Sequence, residues 1–427
     1  MKNVLFIVYY FPPMGGSGVQ RPLKFAKYLR EFGWNPIILC PKPGLYHTFD
    51  ESLENELHSL NLEIHRVGDG DILQKAASNK KTEVKVDDKI AKRLRWFSRL
   101  IYYPDNKKGW IKPALQKANE IISEIKIDLI FTTAPPFSNH IIGQQLKEET
   151  GIPLIVDYRD SWTRNHFQED MWSWQKQILR NQERGVVASA DKIICLDDFI
   201  KTEFKKDYPE ITDRVEVLSH GFDSEDFEKE NLSTSFEYKE GKLNLLYSGL
   251  FYEQNQPDTF LSALNELFYE NPSMDGRIHL HFQGGIDDRI KKLIIDYGFE
   301  NHISDYGYVS HSIAVKNLLQ ADALWMISNF DPSLKQIKSG KLFEYIGSQK
   351  PILGLVHESE ASKLLKNYGA GFWAPPTSVK DIKEQLSEIF KLWEKKELPN
   401  SNTDFVNQFD RKKLTEKLAQ IFNVISL

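Results

Sequence analysis

Three short stretches carry charged or glycine residues in arrangements that suit chemistry. The loop FPPMGGSG holds Gly15, Gly16, Ser17 and Gly18, with Arg21 three residues further on. Glycines of this kind let backbone N–H groups close on an anion at a helix start, where the dipole favours negative charge. A plain tight turn with glycine at positive φ is the competing reading. In VDYRDSW, Asp157, Arg159 and Asp160 follow a run of Ile and Val. Two carboxylates around a guanidinium make either a structural ion-pair network or a site for sugar hydroxyls, and a carboxylate there is also a natural proton acceptor. SGKLFEYIGSQKPILG sets Lys341 and Glu344 three residues apart, on one face of a helical turn, with Leu342, Phe343 and Ile346 available for a core. A cation beside a carboxylate at a helix start suits a phosphorylated ribose, with Lys for phosphate and Glu for hydroxyls. An ordinary i,i+3 surface salt bridge competes with it.

Such groups need rigid elements behind them. Val4 to Tyr10 is a β-branched and aromatic run of strand length. After the glycine loop, Val19, Leu23, Ala26, Leu29 and Phe32 recur at helical spacing up to Gly33, and Pro22 fits if it lies in the first helical turn. Pro36 to Cys40 is the next strand, which completes a βαβ unit. The rhythm continues through strands at Ile127–Thr133, Pro153–Asp157, Lys192–Leu196 and Val215–Ser219, with helices at Ser138–Glu149 and Asp198–Lys206. Between Ser224 and Lys242 the text turns polar, and a second series then starts at Leu243. The expected fold is therefore α/β, with Rossmann-like domains over 1–223 and 224–403 and a C-terminal helix, 404–427, returning to the first. In open sheets of this type ligands lie beyond the carboxyl ends of the strands, and two domains face each other across a cleft. Groups just after strands, such as Thr132 to His140, Ser248-Gly249 and Gly284-Gly285, become candidates by position.

Composition excludes other classes. The 427 residues suit two or three domains at roughly 100–200 residues each. Lys and Arg number 55 against 60 Asp and Glu, a net charge of −5 that does not fit a nucleic-acid-coating surface. Only two cysteines occur, Cys40 and Cys195, both in apolar runs, so reduced thiols in the cytoplasm are expected. His279 and His281 share a face of one strand, the spacing of a metal pair, but no third ligand stands nearby and core histidines are the alternative. The stretch Lys89 to Tyr103 has five basic residues with Leu94, Phe97, Leu100 and Ile101 at helical spacing. That pattern suits either peripheral contact with an anionic membrane or a solvated helix.

Taken together, these residues resemble the nucleotide-sugar glycosyltransferases of GT-B fold, the retaining group 1 or family four type. The most specific piece is KLFEYIGSQKPIL, Lys341 to Leu353, which is similar to the family's donor-nucleotide motif. GGSG, PPFSNH (Pro135–His140), DYRDSW, HGFD and YSGLFY follow in the family's order, and YPDNKKGW with DYRDSW looks like a subgroup of bacterial surface-polysaccharide assembly. The resemblance implies transfer of a sugar from a nucleotide-sugar donor to a glycan or lipid-linked acceptor, with retained configuration, no metal and no cofactor. It assigns the acceptor to the first domain and the nucleotide-sugar to the second, near the inner face of the plasma membrane. Glu344 matches the ribose Glu, Lys341 lies beside the diphosphate, and Gly15 and Gly16 match the loop approaching the phosphates. Ser248, Gly249 and Leu342 fall in the donor motifs, and His140 and Trp162 in the acceptor-side ones. Three departures stand out. Gln336 occupies the place of a first Glu, SGLFYEQNQ lacks the usual Arg and Lys, and Arg159 stands near the usual His. Arg21, Arg159, Lys338 and Lys341 are then the expected cations, and Asp157, Arg159 and Asp160 the expected catalytic groups. A non-transferring GT-B relative, such as an epimerase or hydrolase, and a non-catalytic sugar-nucleotide-binding protein are the alternatives. A two-domain NAD enzyme is disfavoured because no GxGxxG follows any strand.

Overall fold

The computed structural model describes residues 1–43, 49–68, 103–164, 171–228, 236–251, 255–328 and 340–426. Lys338, Gln336 and residues 89–102 of the basic stretch lie outside the described residues.

The chain divides into two compact units, Met1–Ser219 with Thr415–Leu427, and His220–Leu414. The sequence reading put these changes at 223/224 and 403/404. The segment between is tied into the second unit, where Phe222 N–H and Arg411 N–H bond the carbonyls of Phe409 and Phe222 at 3.0 and 2.8 Å.

The first unit is a seven-stranded parallel sheet. Its strands are β1 (Lys2–Ile7), β2 (Trp34–Pro41), β3 (Glu63–Val67), β4 (Leu129–Ala134), β5 (Leu154–Tyr158), β6 (Lys192–Cys195) and β7 (Val215–Val217), in the order β3-β2-β1-β4-β5-β6-β7. The central strands are apolar on both faces because helices cover both sides of a parallel sheet. Leu5 pairs with Ile37 of β2 and Ile130 of β4, and all three are fully buried. At the edge, EIHRV of β3 is only half-buried, and its charges hid it from a hydrophobicity reading. The last helix, Arg411–Ile425, ends in this unit: Phe422 packs edge-on to Trp34 at 5.3 Å and against Phe131 at 5.4 Å, and Lys2 Nζ donates to Ser426 Oγ at 2.9 Å.

One element differs instructively. The helix after the glycine loop begins at Ser17, so Pro22 falls in its second turn instead of its first. Proline has no N–H, and the Gly18 carbonyl four residues back therefore lacks its helical donor. Arg159 Nη1 donates to that carbonyl at 2.6 Å.

The second unit holds β8 (Leu243–Ser248), β9 (Ile278–Gln283), β10 (Ile303–Asp305), β11 (Ala323–Ser328), β12 (Ile352–Val356) and β13 (Gly371–Ala374), all parallel, in the order β10-β9-β8-β11-β12-β13. In each sheet the strand order reverses beside its first strand, between β1 and β4 and between β8 and β11. Ligand crevices form beyond the strand ends at such reversals. Among the described residues no helix is long and apolar enough to cross a membrane.

Candidate active site

At the first reversal, the charges are held inside the protein. Arg21 is fully buried, and its Nε and Nη2 donate to the two Asp157 oxygens at 3.0 and 2.8 Å. Its remaining bonds go to the Ser219 and Leu218 carbonyls at 2.7 and 2.9 Å, and Thr133 Oγ1 donates to Asp157 at 2.7 Å. The ion-pair reading is therefore the one realised. Asp157 has both oxygens engaged and no exposure, and Arg21, with four of its five N–H donors engaged, is fully buried as well. Arg159 is also committed, donating to the carbonyls of Gly18, Ala134 (3.2 Å) and Pro135. Burial pulls its pKa down while Asp157 and Asp160 oppose that shift. It fastens the glycine loop to the β4 loop instead of facing a ligand. Asp160 is half-buried at the rim.

His140 and Trp162, expected at the acceptor, are likewise interior. His140 shares a 2.7 Å hydrogen bond between Nδ1 and Thr132 Oγ1, lies 4.6 Å from the Tyr158 ring, and is held neutral by burial, which drives its pKa to about 3. Trp162 is 1% exposed and stacked on Phe137 at 4.7 Å. Their aromatic packing replaces the expected acceptor contacts. In the loop itself Gly15 is buried and Gly16, exposed at φ 102°, turns the chain into the helix.

At the second reversal the groups are placed differently. β8 ends at Ser248 and β9 at Gln283, and a glycine follows each. Gly249 N–H bonds the Gln283 carbonyl at 2.6 Å, which draws the two strand ends together. A Cβ at Gly284 (φ +117°) would lie 2.6 Å from the Gly249 carbonyl carbon, and one at Gly249 (φ +136°) only 1.5 Å from Lys341 Nζ. Only glycine meets both the dihedral and the space required. Lys341 opens the helix Lys341–Ser348, with its ammonium 5.4 Å from the Tyr247 ring. Burial lowers its pKa to about 8 while Glu344 opposes that shift. Glu344, one turn on, is 28% exposed in its side chain and accepts from His311 Nε2 at 3.2 Å.

Four residues that the sequence reading did not single out hold this arrangement. Tyr345 Oη accepts from Ser248 N–H at 2.7 Å and donates to the Trp325 carbonyl at 3.3 Å, latching the helix start to the end of β8. Gln283 Nε2 donates to Ser248 Oγ at 2.8 Å, and Asn317 Nδ2 to Gln283 Oε1 at 2.9 Å. His311 reaches Glu344 from a separate helix, His311–Gln320. The Ser248-Gly249 and Gly284-Gly285 pairs after strands announced this junction in the sequence. Leu342, in contrast, is fully buried in the core under the helix and contributes packing instead of a nucleotide contact.

The two strand histidines are core residues: His279 Nε2 bonds Ser304 Oγ at 2.9 Å, and His281 bonds Tyr306 Oη at 2.7 Å and Asn244 Oδ1 at 2.9 Å. Among the described residues no three His, Cys, Asp or Glu stand close enough to hold a metal ion.

Two parallel Rossmann-like sheets, one bearing a glycine-lysine-glutamate site at its strand-order reversal, define the GT-B class. Solved structures share this fold along the chain's full length. A glycosyltransferase from Rickettsia africae is 16% identical, with 99% of this chain and 98% of that one covered and a TM-score of 0.63. HepE from Anabaena, solved with UDP, is 13% identical over 99% and 100%, TM-score 0.62. WaaG, a glycosyltransferase involved in lipopolysaccharide biosynthesis, is 15% identical over 98% and 99%, TM-score 0.58. No curated protein matches the chain in sequence. Residues 19–226 match the model of the family described as Glycosyltransferase Family 4. Over residues 19–226 the chain is thus similar to that family, and as a whole it has the GT-B fold.

Proposed function

We propose that the enzyme moves a sugar from a nucleoside-diphosphate sugar held in the second unit to a glycan or lipid-linked acceptor taken by the first. The observation that carries this reading is the Lys341 ammonium lying directly over Gly249 at a helix start, with Glu344 accessible one turn on. Gly249, with no side chain, leaves room for the Lys341 ammonium at the strand end, where it balances phosphate charge, and Glu344, oriented by His311, accepts from ribose hydroxyls. HepE's structure with UDP supports a nucleotide donor, and WaaG's involvement in lipopolysaccharide biosynthesis supports a cell-surface glycan as destination.

As the glycosidic bond breaks, negative charge collects on the leaving diphosphate. A fixed ammonium and a helix N-terminus stabilise that charge, the task a divalent metal performs elsewhere, so metal-independent transfer is part of the proposal. Retention of configuration is proposed from the family resemblance alone. Glu344→Ala lowers transfer strongly while the thermal unfolding midpoint stays near wild type. Wild-type donor turnover in that variant overturns the ribose assignment.

We further propose that the basic stretch Lys89 to Tyr103 brings the enzyme to the anionic cytoplasmic face of a membrane. Changing Lys92, Arg93 and Arg95 to Glu abolishes co-sedimentation with anionic liposomes, and unchanged co-sedimentation discards the idea.

A further inference from the structure

The second unit carries another hollow, of about 570 Å³, at the edge of its sheet where β9 and β10 begin. Gly249, Gly284 and Lys341 mark the edge where β8 and β9 end, and the six residues of β9 separate the two edges by about 20 Å. The hollow is therefore no extension of the donor site.

Its lining has two kinds of surface. Tyr269 is 88% exposed, Tyr297 is half-buried and stacked on Phe299 at 5.6 Å, and Phe268 backs them. Around these rings stand hydrogen-bonding groups: the exposed Asn265 amide and the carboxylates of Glu266, Glu270 and Asp275. Existing bonds hold these carboxylates without covering them. Lys383 Nζ bridges Glu266 and Glu270 at 3.3 and 2.7 Å, and His302 Nε2 reaches one Asp275 oxygen at 2.9 Å. Each acid stays about half exposed.

Aromatic faces ringed by carboxylates and an amide match the two-sided chemistry of a hexopyranose. Its C–H face lies on a ring while its hydroxyl rim donates to ionised oxygens. Three carboxylates also repel an anionic sugar. We propose that this hollow binds an uncharged saccharide chain, a second glycan site that holds the enzyme on its polymer while the donor site works. The choice of ligand rests on the transferase reading, whereas the binding itself does not need the donor site.

The test is titration of the full chain, without donor, against chitotetraose, cellotetraose and the acidic tetragalacturonate, read by calorimetry and saturation-transfer NMR. At least one neutral tetrasaccharide binds with millimolar affinity, with transfer from its ring protons. Binding weakens about tenfold in Tyr269→Ala, and likewise in Asn265→Ala, and persists in Glu344→Ala. Both truncated side chains are exposed, so the fold survives. No binding by either neutral probe, equal binding by tetragalacturonate, or unchanged affinity in both variants overturns the proposal. Loss in Glu344→Ala alone does so too, because it places the sugar at the donor site.

Discussion

Lys341 is the residue on which the proposed chemistry turns, and its surroundings set a pH limit. An ammonium over Gly249, partly desolvated, loses its proton at about 8 in place of the usual lysine range. The neutral amine no longer balances a diphosphate. Donor kcat/KM therefore falls as pH rises through about 8, the sign following from a cation's lowered pKa. Lys341→Arg keeps its charge across that range and moves the fall to higher pH, which a pH-rate profile of both enzymes checks. Arg159 shows the opposite outcome for a similar cation. It is buried and donates to three carbonyls, one of them orphaned by Pro22. A guanidinium among charges in a sequence looks the same in either role, and only the partners it meets tell them apart.

Elements carry their own titration. Glu183, on the helix Ser173–Ser189, accepts from Thr163 Oγ1 at 2.5 Å and Tyr208 Oη at 3.1 Å, joining three segments of the first unit. Burial raises its pKa from 4.5 to about 7. Between those values the folded chain binds more protons than the unfolded one, so stability declines as pH rises and levels off above about 7. The decline amounts to roughly 3 kcal/mol. Glu183→Gln flattens it, as urea unfolding of the first unit from about pH 5 to 8 measures. Most elements were legible in the sequence because central parallel strands are continuous apolar runs and the helices between them keep a 3.6-residue period. β3, with its charged edge, the three-residue β10 and the four-residue β13 were not. Their pairing comes from their neighbours β2, β9 and β12, contacts that only folding makes.

For the molecule as a whole, the last thirteen residues link the end of the chain to its start. Thr415–Leu427 completes the first unit, where Phe422 closes over Trp34 and Phe131. Deleting these residues uncovers that aromatic cluster. The first unit then unfolds at lower urea, by about 3–5 kcal/mol for a buried aromatic, while the second keeps its midpoint; fluorescence and calorimetry of the truncated chain resolve the two transitions. Local composition by itself indicated the α/β class, the two series of strands and the glycine, lysine and glutamate proposed here for the donor, because period, turn chemistry and helix starts are short-range properties. The tertiary structure decided which charged groups remain available. Asp157 and Arg21 lie 136 positions apart yet neutralise each other in the interior, whereas Lys341 and Gly249 come from different elements and meet at an accessible strand end. Burial and partnership depend on contacts between distant segments, and no local spacing encodes them.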